Sequence, residues 1–320
     1  MVLQHLETFC RVVEEGSFTK AADGLGFSQP TVTKQIKSLE EDLGARLLTR
    51  AQRRLQLTPA GEIVYDYARQ IINAVRECRS ALEGIDSPGQ GDLRIGAVFT
   101  IALFTLPPVL EEFRRSHPRV TVHVRTGTNQ SILGMVLHNE VDIGLTAFPL
   151  THPQIRTTPL FEDPVLLVAS PGTEWARKRT LTPTEMSAIP MVSYQRMSQF
   201  RGFVDANFEA AGIRPNVVME FDTHEMVKTM VQLGLGVAMI PKSAVEEDLA
   251  QGKLVTLQIA GFPKLTRVTA MLVREGRMET WAMKAFADLI RKARAAGDDE
   301  AAAPGPQSVR AAEGTASRKA

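Results

Sequence analysis

Apolar residues recur along this chain in three successive rhythms. In the first, Leu3, Leu6, Phe9, Val12 and Val13 mark one face of a helix that stops at Gly16. Ser17 offers a side-chain cap for a second helix through Ala21 and Ala22, followed by a turn through Gly24 and Gly26. A third helix opens at Ser28, with Pro30 in its first turn, where a missing N–H costs nothing. Its apolar stripe is Val32, Ile36, Leu39 and Leu43, while Gln29, Pro30, Thr31, Thr33 and Lys34 crowd its polar start. Residues 47–58, LLTRAQRRLQLT, read as two short extended runs around an Arg-rich tip, a β-hairpin.

The second rhythm is a heptad seam. Val64, Ala68, Ile71, Val75, Cys78, Leu82 and Ile85 alternate at four- and three-residue spacing, as a and d positions do. A helix of this length spans about 40 Å at ~1.5 Å per residue. No nearby segment is long enough to cover such a seam, so it predicts pairing with a second copy of the chain. Residues 87–92, SPGQGD, form a breaker cluster that reads as a hinge.

The third rhythm alternates strand and helix. Strand patterns fall at 93–98, 120–124, 141–145, 161–169, 217–221, 237–240 and 267–274. Helical patterns lie near 99–115, 131–138, 183–187, 199–211, 225–233 and 280–293. This predicts α/β lobes with parallel sheets and right-handed crossovers. The organisation expected is 1–58 for a helical module, 59–86 for a linker helix and 87–92 for a hinge. One lobe then comprises 93–161 with 267–295, and a second comprises 162–266. Residues 296–320, rich in Ala, Gly, Pro and Ser, have the composition of a disordered tail.

Length and composition narrow the function. At 320 residues with 44% apolar content, the chain supports more than one buried core. A net charge of +1 conceals local clustering. Between 28 and 58, Lys34, Lys37, Arg46, Arg50, Arg53 and Arg54 outnumber Glu40, Glu41 and Asp42, a balance suited to phosphate contact. Two cysteines in helical apolar patterns, no signal-peptide pattern and no membrane-length apolar run predict a cytoplasmic protein. The six histidines show no metal-ligand spacing, no nucleophile–base constellation stands out, and no cofactor is expected.

Two groups of candidate residues follow. At the start of the third helix, Ser28, Gln29, Pro30, Thr31, Thr33, Lys34 and Lys37 present amide, hydroxyl and ammonium groups of the kind that meet base edges and phosphates in a major groove. Arg50, Arg53 and Arg54 on the hairpin are candidates for backbone or minor-groove contact. In the α/β part, ligands collect beyond strand ends, at helix starts. That rule selects Thr100, Thr128, Thr146, Phe148, Ser198 and Thr223, and reads Asp222 with Glu225 as a capping box. Arg125 and Arg201 are candidate partners for a carboxylate or sulfate. A transport-type solute-binding protein and an α/β enzyme with a DNA-binding appendix are the alternatives. The basic N-terminal hairpin disfavours the first, and the lack of a catalytic constellation disfavours the second.

The stretch LETFCRVVEEGSFTKAADGLGFSQPTVTKQIKSLEEDLGARLLTR with the later LTPAG resembles the N-terminal domain of LysR-type transcriptional regulators. The likeness continues through the linker helix, LRIGA, VDIGLT and LGLGVAMIP. It implies an α/β chain with an N-terminal all-α winged helix-turn-helix, a long linker helix and a two-lobed effector domain like periplasmic binding proteins. It also implies a homodimer through the linker helix, assembled into a homotetramer, that binds promoter DNA under control of a small-molecule effector. Gln29, Pro30, Thr33 and Lys34 take the base-reading positions, and Arg53 or Arg54 the wing contact. Thr100, Thr128 and the Ser198 region take the effector contacts. Lys34 stands where many members carry Arg, and a lysine lacks the bidentate fork that reads guanine. Gly24 stands where helix formers are usual, at about 1 kcal/mol of local helix stability.

Overall fold

A computed structural model describes residues 2–51, 54–86 and 90–301. Three helices, α1 (Leu3–Glu15), α2 (Phe18–Leu25) and α3 (Gln29–Leu43), pack around Leu6, Phe9, Val12, Ala21, Val32, Ile36 and Leu39. Leu43, expected on the buried stripe, is 39% exposed because α3 ends there, at the left-handed Gly44. Gly24 belongs to α2 rather than to the turn, which falls at Gly26 with φ of 70°. A Cβ on Gly24 would lie 2.9 Å from the Arg11 guanidinium, so the missing side chain leaves space for the end of that arginine. The strands β1 (Leu48–Ala51) and β2 (Arg54–Leu57) pair antiparallel as a wing. The tip residue Arg53 and the side chains of Arg50 and Arg54 lie outside the described residues.

The linker helix α4 (Pro59–Asp86) presents only part of its heptad seam outward: Ile71 and Cys78 are exposed, whereas its start is covered. Val64, Ala68 and Ile72 pack on the winged module, whose α1 provides the cover that spacing alone does not reveal. The exposed apolar face runs through Ile63 and Tyr67, at 60% and 63% exposure, and joins the seam at Ile71, at 37%. Cys78 is exposed on the same helix, and the side chains of Leu82 and Ile85 lie outside the described residues. Of the expected hinge, Gly91 and Asp92 open a strand, while residues 87–89 are not described.

Beyond it the chain runs through β3 (Gly91–Val98), a π-helical turn (Ile101–Thr105), α5 (Leu106–Ser116), β4 (Val120–Gly127), α6 (Asn129–Leu137) and β5 (Ile143–Thr146). The long strand β6 (Ile155–Ala169) leads to β7 (Thr180–Leu181), α7 (Pro183–Ala188), β8 (Pro190–Tyr194), α8 (Gln199–Ala210) and β9 (Asn216–Phe221). Then come α9 (His224–Gln232), β10 (Ala238–Pro241), α10 (Lys242–Ala250), β11 (Val255–Ile259), β12 (Leu265–Arg274) and α11 (Trp281–Ala301). The sheet is mixed rather than parallel. β3 is parallel to β4 and β5, but β12 runs antiparallel to β5 and β6, as do β10 and β11 to β6. β6 and β12 carry the chain from one core to the other and back, which forces opposite directions. The first core gathers Leu93, Ile95, Phe113, Ile132, Ile143 and Phe286, and the second gathers Val168, Val192, Phe208, Val227 and Ile240. The first half of β6, and α10, β7 and β11, carry no pattern strong enough to read from the sequence. The terminal helix continues to Ala301, six residues into the segment expected to be disordered.

Helix α6 is pressed close to the sheet. Gly144 in β5 leaves the space: a Cβ there would lie 2.7 Å from Val136 and 2.9 Å from Ile132. The helix closes in a Schellman arrangement, Glu140 N–H donating to Met135 O at 2.8 Å and Asn139 N–H to Val136 O at 3.1 Å. Asn139 adopts φ of 54°, a left-handed conformation that Asn tolerates better than most side chains. Gly144→Ala should therefore overpack this contact and lower stability by about 1–3 kcal/mol, measured by urea unfolding. An unchanged midpoint would mean that α6 is free to lift away from β5.

Candidate functional site

The first surface is the start of α3. Ser28 Oγ accepts the Thr31 N–H at 3.3 Å and caps the helix. Gln29, Pro30, Thr31, Thr33, Lys34 and Lys37 are all exposed, as is Ser28. The Gln29 amide donates to Thr33 Oγ1 at 3.1 Å, while the Thr33 hydroxyl donates to Gln29 O at 3.0 Å. These groups are thus pre-paired on one turn and open to exchange for base edges. The N-terminal helix dipole adds attraction for a phosphate. Glu40 fixes the wing to α3, accepting from Leu47 N at 2.8 Å and Leu48 N at 3.3 Å. Between helix and wing lies a groove of about 830 Å³ lined by Thr33, Lys37, Glu40, Arg46 and Thr49. Arg46, exposed in this groove, is a cation that the motif does not single out although the charge count includes it.

The second surface is a cleft of about 600 Å³ between the two α/β cores. It brings together Thr100, Thr128, Phe148, Ser198 and Thr223. Thr128, Ser198 and Thr223 cap α6, α8 and α9, accepting from Ser131 N, Arg201 N and Met226 N at 3.2, 3.4 and 3.3 Å. Thr223, not Asp222, is the cap of α9, so the expected capping box is absent there. Thr146 is fully buried and turns to Ala270 O on β12, away from the cleft, because the side chains of a strand alternate between faces. Across the cleft, Asn129 Nδ2 donates to Gln199 Oε1 at 2.5 Å while its Oδ1 accepts from Ala147 N at 3.0 Å. Phe148 meets Phe203 at 5.4 Å between ring centres.

The floor of the cleft adds Arg267 and Tyr194, which helix starts do not signal, beside His224, the first residue of α9. Arg267, only 3% exposed, donates from Nε and Nη2 to Asp163 at 3.1 and 2.8 Å and from Nη1 to Thr100 Oγ1 at 3.3 Å. An arginine at the head of the strand pattern 267–274, ahead of its apolar run, is the available clue. Tyr194 Oη and His224 Nδ1 are 2.5 Å apart, packed edge-on with Phe200. Burial, then the nearby Arg267 charge, lowers His224 to about 3, so this imidazole is neutral. Burial pushes the Tyr194 phenol well above its usual value. Arg201 is occupied elsewhere, by Asp205 at 2.5 Å, Tyr194 O at 2.7 Å and Glu220 at 3.3 Å.

Arg125 also lies outside the cleft, at the opposite end of α6. There Glu140 pairs with Arg125 at 2.5 Å and with Arg69 of α4. Asn73 of α4 donates to His138 O at 2.7 Å. Helix α6 thus begins in the cleft and ends against the linker helix.

Comparison with known proteins assigns this architecture. Residues 3–62 match the family model described as bacterial regulatory helix-turn-helix protein, lysR family, and residues 86–295 match the LysR substrate binding domain. The uncharacterized HTH-type transcriptional regulator YusT of Bacillus subtilis is 31% identical over 287 residues, covering 88% of this chain and 93% of YusT. A full-length OxyR variant from Pseudomonas aeruginosa superimposes with a TM-score of 0.72 at 24% identity, covering 91% of this chain and 95% of that one. Full-length CbnR complexed with its target DNA gives 0.68 at 22% identity, covering 91% and 99%. The chain belongs to the LysR-type transcriptional regulators, with a DNA-binding helix-turn-helix and an effector-binding α/β domain. Among the described residues no helix is long and apolar enough to cross a membrane.

Two outcomes follow from this geometry. Gln29→Ala should weaken binding to a specific site by about 1–3 kcal/mol and leave binding to random DNA unchanged, measured by fluorescence anisotropy. Equal loss on both would remove the base-reading role. For His224 the folded chain refuses a proton down to about pH 3, whereas the unfolded chain accepts it near pH 6.5. Stability is therefore full above pH 6.5 and falls as the pH drops from there towards 3. Between pH 6.5 and 5, wild-type protein should lose about 2 kcal/mol more than His224→Gln in denaturant titrations. Parallel pH profiles would contradict a buried neutral imidazole.

Proposed function

We propose that the protein is a cytoplasmic, dimer-based regulator that reads promoter DNA with α3 and senses a small molecule between its α/β lobes. On this reading Gln29, Pro30, Thr33 and Lys34 face base edges. Ser28, Thr31, Lys37, Arg50, Arg53 and Arg54 hold the backbone. The effector meets Thr100, Thr128, Phe148, Ser198 and Thr223, and Thr146 drops out because it is buried away from the cleft. The working division is 1–58 for DNA binding and 59–86 for linkage, with β3 opening the effector domain at Gly91. Residues 93–161 with 267–295 form one lobe and 162–266 the second. CbnR, of like fold, is described in complex with its target DNA, which supports the placement of α3.

The observation that carries the reading is the course of α6. Its nine residues span about 13 Å at ~1.5 Å each. Asn129 at one end joins the two lobes, and His138 and Glu140 at the other hold α4. A ligand that draws the lobes together displaces Asn129 and Thr128, and the rigid helix passes that displacement to the element carrying the winged module. Dimerisation is supported by the exposed Ile63–Tyr67–Ile71 face, and a two-fold dimer presents two α3 helices to a two-fold site. Stacking of dimers into a homotetramer follows the family pattern.

Two measurements test this. The full chain should give a salt-sensitive, sequence-selective gel shift on its own upstream DNA, and a shift equal on all sequences would defeat the regulator reading at its DNA-binding end. Tyr67→Glu with Ile71→Glu should halve the mass seen by light scattering and weaken specific DNA binding by at least tenfold. An unchanged mass would place the dimer contact elsewhere.

A further inference from the structure

A second cavity, of about 560 Å³, opens away from the effector cleft, where α1 and α2 of the winged module meet α4 and the first lobe. Its walls carry charge of opposite sign. From α1 come Glu7 and Glu14, which recur on one face about 10 Å apart along the axis at ~1.5 Å per residue. From α4 come Arg69 and Arg76, at the same spacing, and from the lobe Arg94 and Arg125. Cys10, between the two carboxylates on α1, lines the cavity as well. Burial pushes its thiol up to about 12, so it adds no charge.

Some of these charges answer one another. Arg94 meets Asp142 at 2.9 Å, Arg69 and Arg125 share Glu140, and Arg11 gives Nη2 to Glu15 at 2.9 Å. Three do not. Among the described residues Glu7 and Glu14 have no hydrogen-bond or ion-pair partner, and Arg76 meets only the neutral Asn73 Oδ1, at 3.4 Å. Arg11 Nε is a buried donor that nothing accepts. The free groups are thus two carboxylates on the α1 wall and a guanidinium on the α4 wall. In a partly enclosed space such groups attract a complementary ligand more strongly than they would on open surface.

We propose that this cavity binds a basic amino acid, whose two cationic groups meet Glu7 and Glu14 while its carboxylate meets Arg76. A neutral zwitterion would leave one α1 carboxylate unanswered, a simple cation would leave Arg76 open, and an anion would face both carboxylates. The volume lies within the ~300–1,000 Å³ usual for small-molecule sites. The site is separate from the effector cleft, with which it shares no lining residue. One wall belongs to the winged module and the other to the linker helix and lobe, so occupancy ties the DNA-reading part directly to the sensing part.

Isothermal titration calorimetry of the full chain with L-lysine tests the assignment, against L-alanine, n-butylammonium and propionate. Lysine should bind saturably and at least tenfold more tightly than any of the other three. Glu7→Gln with Glu14→Gln should weaken lysine at least tenfold without lowering the melting temperature of the unliganded chain, since neither carboxylate has a partner to lose. Arg76→Gln should weaken lysine by a similar factor, and Arg76→Lys, which keeps the charge, should lose less. Thr128→Val with Ser198→Ala, in the effector cleft, should leave lysine binding unchanged. Absence of saturable lysine binding, equal binding of alanine or n-butylammonium, or lysine binding that survives the paired Gln variant overturns the proposal. Loss of lysine binding on the cleft substitutions alone also overturns it and moves the ligand to the effector site.

Discussion

Much of this molecule depends on α6 being clamped at both ends. Its first residue, Asn129, is 9% exposed and shared between Gln199 of one lobe and the Ala147 amide of the other. Its C-terminal turn is closed by backbone hydrogen bonds and meets the linker helix through a neutral contact, Asn73 to His138, and an ionic one, Arg69 to Glu140. Between these ends, Ile132 and Val136 lie over Gly144 with no slack. A packed helix of this kind moves as a unit, since well-packed interfaces resist gradual deformation and switch between discrete arrangements. A ligand shifts such an equilibrium only by its difference in affinity for the two arrangements.

The charged groups divide between these tasks. Glu140 serves two arginines, one from the linker helix and one from its own lobe, so loss of the Arg69 contact leaves it still paired with Arg125. Such a contact can open without stranding a buried charge, which suits a joint. The Arg267–Asp163 pair is different. It is nearly sealed from solvent, and breaking it would cost far more than an exposed pair. One pair suits a movable contact and the other a fixed reference at the base of the cleft.

The winged module is the most legible part of the sequence, because helix periodicity, capping serines and terminating glycines agree there from residue 3 to 44. The cleft is legible only where it is built from helix starts. Thr128, Ser198 and Thr223 are caps, and caps announce themselves by position. Arg267 reaches the cavity through tertiary folding, marked only by its place at the head of an apolar strand pattern, whereas His224 opens α9 directly after the cap Thr223 and is legible by position. Thr146 fails for a simpler reason: strand alternation sends it to the opposite face. The linker seam misleads because Val64 and Ala68 satisfy a heptad equally well against a partner or against α1 of the same chain. Arg125 and Arg201 fall outside the cleft because charge type does not disclose which acid is nearby.

Coupling through α6 between the cleft and the linker helix is testable without knowing the effector. Hydrogen–deuterium exchange of the full chain should compare wild type with Asn129→Ala, which removes the clamp in the cleft. Faster exchange is expected in the linker-helix amides around Arg69 to Asn73 as well as in α6. Faster exchange confined to residues around 129, 147 and 199, with the linker helix unchanged, would contradict it.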